Sequence, residues 1–579
     1  MQSKSTNAAW WHFALAILFA GIAILRVVQS YPRTAGTFDE PYHVGAAIEL
    51  LDKHTYALDP LHPPLQRIAI GLPLYLAGER YPNLSAGTTS ELPEPPACAV
   101  GNAVLNDSGR YLQNLTLARL GMIPFLLLGC AVVFFWTREE FGIFSAVMAV
   151  ALFSTLPIVL EFSSIAYTDM VAASTQVLAL WALVRWLDRG NMRSAVWLGL
   201  AVGLALAAKM TTYIFVPACG LSLLALKWMV GRTRASREPL PRKNLLRQIS
   251  LAGVLAIVVL WSSYGFQMGH VRQGMQLSAD SIPSFQHFPA PFRRIGRELI
   301  LSDPIVPAPA LLRGIADAWV MEKSRPEGYL FGHSKSGGWW YFFLVGVAVK
   351  TPIPVLALSV LATFTFPRFL REGRWTALAP AACVLAVFVA TLPVHVNYGV
   401  RHVLVLFPLL AILAGEGCSV LWQARTWRAA ARFSLAGLLA WQCISTARAS
   451  GDYIAYFNEL AGADPSKILV AGCDLDCGQD LFALSSELRN RGIKKISLAL
   501  WTSAEIGKLG LPQFEILQPN RPATGWVAIS LRALRAGDVF HKTYAPGAFD
   551  WLASFQPVAH IGKTILLYHI PESNNAAQN

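Results

Sequence analysis

The sequence predicts an all-α polytopic membrane domain of about eleven transmembrane helices, followed by a small C-terminal α/β soluble domain. Three observations carry this. The chain of 579 residues is 54% hydrophobic and only 14% charged, where a soluble globular protein carries roughly 25% charged residues. Apolar runs of membrane length recur as far as about residue 448, and the cations between them alternate in a way that fixes a topology. Lipid must therefore be the solvent for much of the chain, and its mean hydropathy of +0.43 agrees.

A helix needs about 20 apolar residues to cross the hydrocarbon core. Runs near that length occur at 10–29, 116–136, 142–160, 169–187, 194–209, 211–229, 249–268, 350–367, 375–393, 403–423 and 432–447. The first has only Lys4 ahead of it and no small-residue cleavage pattern behind it, so a retained anchor is expected rather than a signal peptide. Starting that helix from the cytoplasm places Arg138, the group Arg185, Arg189 and Arg193, the segment Arg232 to Arg247, the trio Arg368, Arg371 and Arg374, and Arg425, Arg428 and Arg432 on the inside. Nearly every short cationic loop obeys the positive-inside rule. The formal charge of +13 is thus a topology signal, and a nucleic-acid partner is not expected.

Three large pieces then lie outside: residues 30–115, residues 269–338 and everything after about 448. The membrane domain accordingly covers 1–448, with a periplasmic α/β domain at 449–579. In the first loop, Pro41 suits a first helical turn, and 42–51 repeats apolar residues at helical spacing, so a short amphipathic helix along the membrane surface is expected. His62, Pro63 and Pro64 break the chain before an apolar stretch at 65–77, which is too short to span and reads as interfacial or re-entrant. Trp339, Trp340 and Tyr341 close the second loop and suit the headgroup belt. In the tail, KILVAG and KISLALW read as strands and DLFALSSELRNRG as a helix.

The charged residues on the outer side are those that can carry chemistry. Asp39 and Glu40 precede Pro41 at a helix start, where N-capping is the bland reading. Asp169 stands at the outer end of the fourth span, where a buried carboxylate is costly without a partner or a function; capping by Thr168 or Asp169 is the rival there. Lys209 lies near the outer boundary, either snorkelling or awaiting a phosphate. Arg401 and His402 occupy the outer entrance to the tenth span, where a cation is disfavoured unless it meets an anion; Lys350 is similar. Acids and cations at one membrane face fit transfer from a lipid phosphate, which needs a base for an acceptor hydroxyl and cations for the departing phosphate. The rival from another class is a transporter or lipid-handling protein using the same carboxylates, but no inverted repeat of broken helices is seen.

The string FDEPYHVGAAIELL, HPPLQRIAIGLPL, TDM, GLALAAKMTTYIFVP, GHSKSGGWWYFFLVGVAVKTPIP and YGVRHVLVLFPLLAILAG resembles the bacterial branch of the protein O-mannosyltransferase-like superfamily, glycosyltransferase family 39 and its relatives with the GT-C fold. The similarity covers nearly the whole chain. It implies an inner-membrane glycosyltransferase that takes sugar from a polyprenyl-phosphate carrier, by default undecaprenyl phosphate, and passes it to an acceptor on the periplasmic face, inverting the anomeric centre. It further implies Asp39 as the acid that acts as general base or positions the acceptor, Glu40 beside it and Asp169 as the second acid. Lys209, Arg401 and His402 would hold the carrier phosphate, while His62, Pro63 and Pro64 shape the loop. No essential metal or other cofactor is implied. The tail resembles the family's periplasmic extension, but Cys473 and Cys477 stand where a small residue or serine and a tryptophan are expected. For these two a disulfide is preferred to a metal site or free thiols. Sugar and acceptor stay open: lipid A, a surface glycan, a secreted protein and a cell-wall polymer all fit.

Overall fold

A computed structural model describes residues 3–83, 95–232, 242–272, 290–470, 472–537 and 545–571. Parts of the predicted inner loop 232–247 and of both outer loops therefore lie outside the described residues. All eleven apolar runs are helical, but they are not equal as spans. Among the described residues, seven helices are long and apolar enough to cross a membrane: Trp10–Ser30, Tyr111–Phe141, Asp169–Arg189, Thr212–Gly231, Asn244–Ser263, Ile353–Glu372 and Leu406–Gln423. Ile143–Phe153 and Pro157–Ser164 together have the length and apolarity of an eighth, as a broken span or a re-entrant pair bent by 60°, the break falling where Pro157 opens the second helix. The runs at 194–209 and 375–393 form the shorter helices Met192–Leu206 and Trp375–Thr391. The last run, Arg428–Arg448, has an arginine at each end and another, Arg432, in its first turns. Eleven spans by composition thus become seven or eight by length and apolarity, with three helices shorter or more polar than a free-standing span requires.

The core runs through these helices. Trp136, Phe153, Phe162, Phe342, Phe343 and Phe407 are fully buried, whereas exposed Leu, Ile, Val and Trp side chains such as Trp10, Ile17, Leu221 and Val254 sit on helix faces turned outward, as expected where hydrocarbon replaces water.

One expectation for the first loop is corrected. The helix Glu40–Ile48 does carry Pro41 in its first turn, but nearly every one of its residues is buried, so it does not float on a membrane surface. It is pressed against the helix Pro96–Asn106: a Cβ on Gly45 would come within 2.1 Å of the Ala97 carbonyl oxygen, and one on Gly101 within 1.7 Å of the Pro41 oxygen. Only glycine permits that approach, which the apolar periodicity of 42–51 could not reveal. The stretch 65–77 forms the 12-residue helix Leu65–Leu76.

Two small two-stranded antiparallel sheets accompany the second loop, β1 (Met268–His270) with β2 (Ile305–Pro307), and the hairpin of β3 (Glu327–Leu330) with β4 (His333–Ser336). The tail carries a five-stranded mixed sheet from β5 (Lys495–Ala499), β6 (Gln513–Ile516), β7 (Gly525–Ser530), β8 (Ala559–Ile561) and β9 (Ile565–Ile570), in the order β6-β5-β7-β9-β8. β5 is parallel to β6 and β7, while β9 is antiparallel to β7 and β8. The helix Leu481–Asn490 matches its prediction. The described residues of KILVAG form no strand: Lys467 closes the 3-10 turn Pro465–Lys467, and Leu469 and Val470 are buried individually.

The tail does not stand apart. Ala35 N–H donates to the Gln479 carbonyl (3.0 Å) and Phe38 N–H to the Cys477 carbonyl (2.9 Å). The Asn102 amide donates to the Ser503 carbonyl (2.7 Å), and the Phe38 and Trp501 rings stack with centroids 4.3 Å apart. The loop that bears Asp39 is therefore held between the helical domain and the tail.

Candidate functional site

The site lies where the connectors at one end of the helices meet the tail, around a cavity of about 940 Å³. Its walls are largely apolar, including Ile214, Phe215, Phe343, Ala390 and Val394, and its polar groups include Asp39, His43, His62, Lys209, Arg401 and His402.

Asp39 occupies the N-cap of the helix Glu40–Ile48 yet makes no side-chain cap bond. Its carboxylate instead takes a hydrogen bond from the Arg401 guanidinium, and its backbone N–H is fixed by the Tyr167 hydroxyl (2.8 Å). Burial works to raise the Asp39 pKa, but the Arg401 guanidinium, by its charge and its hydrogen bond, outweighs it and holds the carboxyl below its ordinary value. Arg401 is in turn held firmly protonated, against burial, by Asp39 and Asp169, and its guanidinium lies 5.4 Å from the centre of the Tyr167 ring.

Arg401 is aimed by its neighbours. Val400 N–H donates to Asp474 Oδ1 (2.9 Å), and the Lys350 ammonium donates to the Asp474 carbonyl (2.6 Å) and the Ile454 carbonyl (2.7 Å). Gly399, at φ +103°, could not carry a Cβ, which would sit 2.5 Å from the Gly472 oxygen. Lys350, predicted as an outer cation, is fully buried and serves this scaffold, with Glu161 3.7 Å away.

Asp169 and Lys209 form a second ion pair, both nearly buried, and Lys209 lines the cavity. Thr168 makes no cap bond at that helix start, so the capping reading fails for both acids. Burial pulls the Lys209 pKa down, and Asp169 offsets this only in part. His402 lines the same wall, but burial and the charges of Lys209 and Arg401 push it well below its ordinary pKa. It is a neutral imidazole, and the positive charge here comes from Arg401 and Lys209.

Glu40 is a second correction. It does not line the cavity: both carboxylate oxygens are taken by Arg119 (2.8 and 2.7 Å), with further bonds from Thr37 N–H and Ala166 N–H. Glu40 and Arg119 are entirely buried. Arg119, which also donates to the carbonyls of Tyr31, Thr34 and Ala35, is a structural pin for the 31–40 turn.

His62 is oriented by Asp59, whose two oxygens lie 3.1 Å from its Nδ1, and Asp59 is anchored by Arg67 (3.2 Å). Pro64 precedes the helix Leu65–Leu76, and Pro63 and Pro64 shape the turn into it. Cys473 and Cys477 form a disulfide, with their sulfurs 3.5 and 3.2 Å from the Tyr167 hydroxyl. The sequence reading passed over Tyr167, His43, Asp59 and Trp501. Tyr167 adjoins the TDM motif, which was the available signal; the others are identifiable only once distant segments meet.

Residues 112–264 match the model of the dolichyl-phosphate-mannose-protein mannosyltransferase family. Over that segment the chain is similar to a GT-C glycosyltransferase family. It contains Asp169 and Lys209, while Asp39 and Arg401 lie beyond its two ends. No curated protein matches the chain. Among solved structures, ArnT from Cupriavidus metallidurans bound to undecaprenyl phosphate is 14% identical, with a TM-score of 0.45, and the alignment covers 95% of this chain and 97% of that one. The apo oligosaccharyltransferase of Archaeoglobus fulgidus is also 14% identical at a TM-score of 0.45, over 95% of this chain and 73% of that one.

Proposed function

We propose that this multi-pass membrane protein is a glycosyltransferase that moves a sugar from a polyprenyl-phosphate carrier to an acceptor on the extracytoplasmic face, in a single inverting displacement. The observation that carries the reading is the juxtaposition of Asp39 with Arg401 at the polar end of an otherwise apolar cavity. An apolar chamber at a membrane boundary suits a lipid tail, and Arg401 with Lys209 suits its phosphate. The N-terminus is cytoplasmic in this reading, and residues 449–579 cover the site from the periplasm.

Asp39 enters the reaction ionised. It aligns the acceptor hydroxyl and takes its proton as the bond to the anomeric carbon forms. The bond from that carbon to the carrier phosphate breaks, and the guanidinium of Arg401 follows the growing negative charge on the leaving oxygen. As Arg401 turns toward the phosphate its hold on Asp39 weakens, and the carboxylate becomes a stronger base when the proton must move. Asp169 keeps Lys209 in place at the cavity wall.

The test is mass spectrometry of glycolipids, surface glycans and secreted proteins from a deletion strain complemented with either the wild-type chain or Asp39→Asn. A sugar missing from the deletion strain, restored by wild type and not by the variant, supports the reading. An unchanged glycan inventory in the deletion strain refutes it.

A further inference from the structure

Next to the pair that the proposed reaction uses, a second cluster of donors has no assigned work. His43 lies one helical turn beyond Asp39, and Asp59 and His62 come from the loop that leads into the helix Leu65–Leu76. One ligand-capable atom from each of the three falls within 4.8 Å of the others. The geometry points to a binding site for one borderline divalent transition-metal cation, of the zinc class, held by His43, Asp59 and His62.

Three observations support it beyond proximity. His43 is 3% exposed, and its Nδ1 is buried with no hydrogen-bond partner. A buried imidazole nitrogen left unpaired is costly, and this ring has ligating capacity that no protein group takes up. The separation of His62 Nδ1 from the Asp59 oxygens, 3.1 Å, is close to the edge of about 3.3 Å between neighbouring ligands in a tetrahedron with bonds of about 2.0 Å. A cation would thus replace the proton that His62 and Asp59 share, and the third ligand, within 4.8 Å of these, would close in by up to about 1.5 Å to reach the same edge.

The groups around Asp59 also fit a metal ligand's outer support. Arg67 lies 3.2 Å from Asp59 Oδ2 and donates to the His62 carbonyl (2.6 Å), holding both ligands from behind. Two imidazoles and one carboxylate suit zinc, cobalt, manganese or iron rather than calcium or magnesium. Three protein ligands leave a coordination position open, and His43 and His62 both border the cavity. The cation would tie the helix that starts beside Asp39 to the His62-Pro63-Pro64 turn. This site is additional to the ion pairs of the proposed reaction and departs from the metal-free expectation of the family resemblance.

The experiment is elemental analysis of the full-length protein, purified in detergent, equilibrated with zinc chloride and passed over a desalting column. The expected result is about one zinc per chain in the wild type and in Asp39→Asn, falling at least tenfold in His43→Gln and His62→Gln. Wild-type protein without zinc, or glutamine variants that retain it fully, would overturn the site. Should the variants fail to fold, cobalt(II) added to the wild type decides: visible absorption bands of a tetrahedral nitrogen and oxygen site support it, and their absence refutes it. Neither readout depends on sugar transfer, so a failure here and a failure of the proposed reaction are distinguishable.

Discussion

Asp39 and Glu40 are adjacent in sequence, and each meets an arginine from far along the chain, yet the two pairs serve opposite ends. Glu40 and Arg119 are sealed at 0% exposure and every carboxylate lone pair has a donor nearby. Asp39 and Arg401 keep 25% and 14% of their side chains exposed to the cavity. A sealed pair can only hold the fold, because nothing can reach it. An open pair can exchange its internal contact for a ligand. In the proposed reaction it is accessibility, more than charge or sequence neighbourhood, that separates the structural acid from the reactive one.

Breaking each pair should therefore fail in a different assay. Glu40→Ala leaves Arg119 charged and buried without a counter-ion, which costs about 3–5 kcal/mol. The expected outcome is a large fall in the thermal midpoint of the purified protein, or none recovered folded. Asp39→Asn should leave the midpoint within a few degrees of wild type but lower sugar transfer roughly 10²- to 10⁴-fold, the usual contribution of a positioned base. If the two variants swap phenotypes, the division between sealed and open pairs is wrong.

A gentler probe is Arg401→Lys, which keeps the charge but loses the planar fork that meets Asp39 while facing the cavity. Transfer should drop about ten- to hundredfold, a loss of about 1.4–2.7 kcal/mol, with the fold intact. Wild-type rates would mean that charge alone suffices there. Smaller still is Ser503→Ala. The Ser503 hydroxyl donates to the Phe38 carbonyl from the tail, a bond worth about 1 kcal/mol, so a several-fold loss of transfer is expected if the tail positions the Asp39 loop. An unchanged rate would reduce the tail to a passive cover.

Much of the fold was legible because membrane solvation writes itself into long apolar runs and cation-rich gaps, both local properties. The count of true spans was less so: Met192–Leu206 and Trp375–Thr391 are apolar but short, and only packing against neighbours tells such helices from independent spans. At the site, Asp39, Asp169, Lys209 and Arg401 were visible as charges where charges are expensive. The fate of Glu40 was not, since Arg119 is 79 positions away and nothing local distinguishes a carboxylate that will be sealed. His402 looked cationic by residue type, while its pKa is pushed down chiefly by burial and then by Lys209 and Arg401 packed around it, which no local pattern reveals. KILVAG has strand composition, but its chain is spent on Ile468, whose carbonyl takes the Phe331 N–H, and on Gly472, pressed against Tyr398.

The subtlest contrast sets Asp39 against acids that burial governs. Asp452, Asp474 and Asp476 in the tail are pushed up to about 6, burial being the largest cause in each. In the unfolded chain such groups titrate near 3.9, so between about pH 4 and pH 6 the native tail binds more protons than the unfolded one. Stability then falls as pH rises through that window, and these groups add no further change above it. His43, brought down to about 4 chiefly by burial, works in the opposite sense, because the unfolded chain binds its proton up to about 6.5. The net slope is therefore a poor readout, and a difference between variants is a good one. Asp476→Asn keeps an acceptor for either the Gly478 or the Arg532 N–H but cannot ionise. Thermal midpoints of wild type and variant, measured from pH 4 to pH 7, should converge as pH rises to 6 and run parallel above it. Parallel curves throughout would show that Asp476 titrates alike in both states, and that hydrogen bonding at this acid compensates burial as fully as Arg401 does at Asp39.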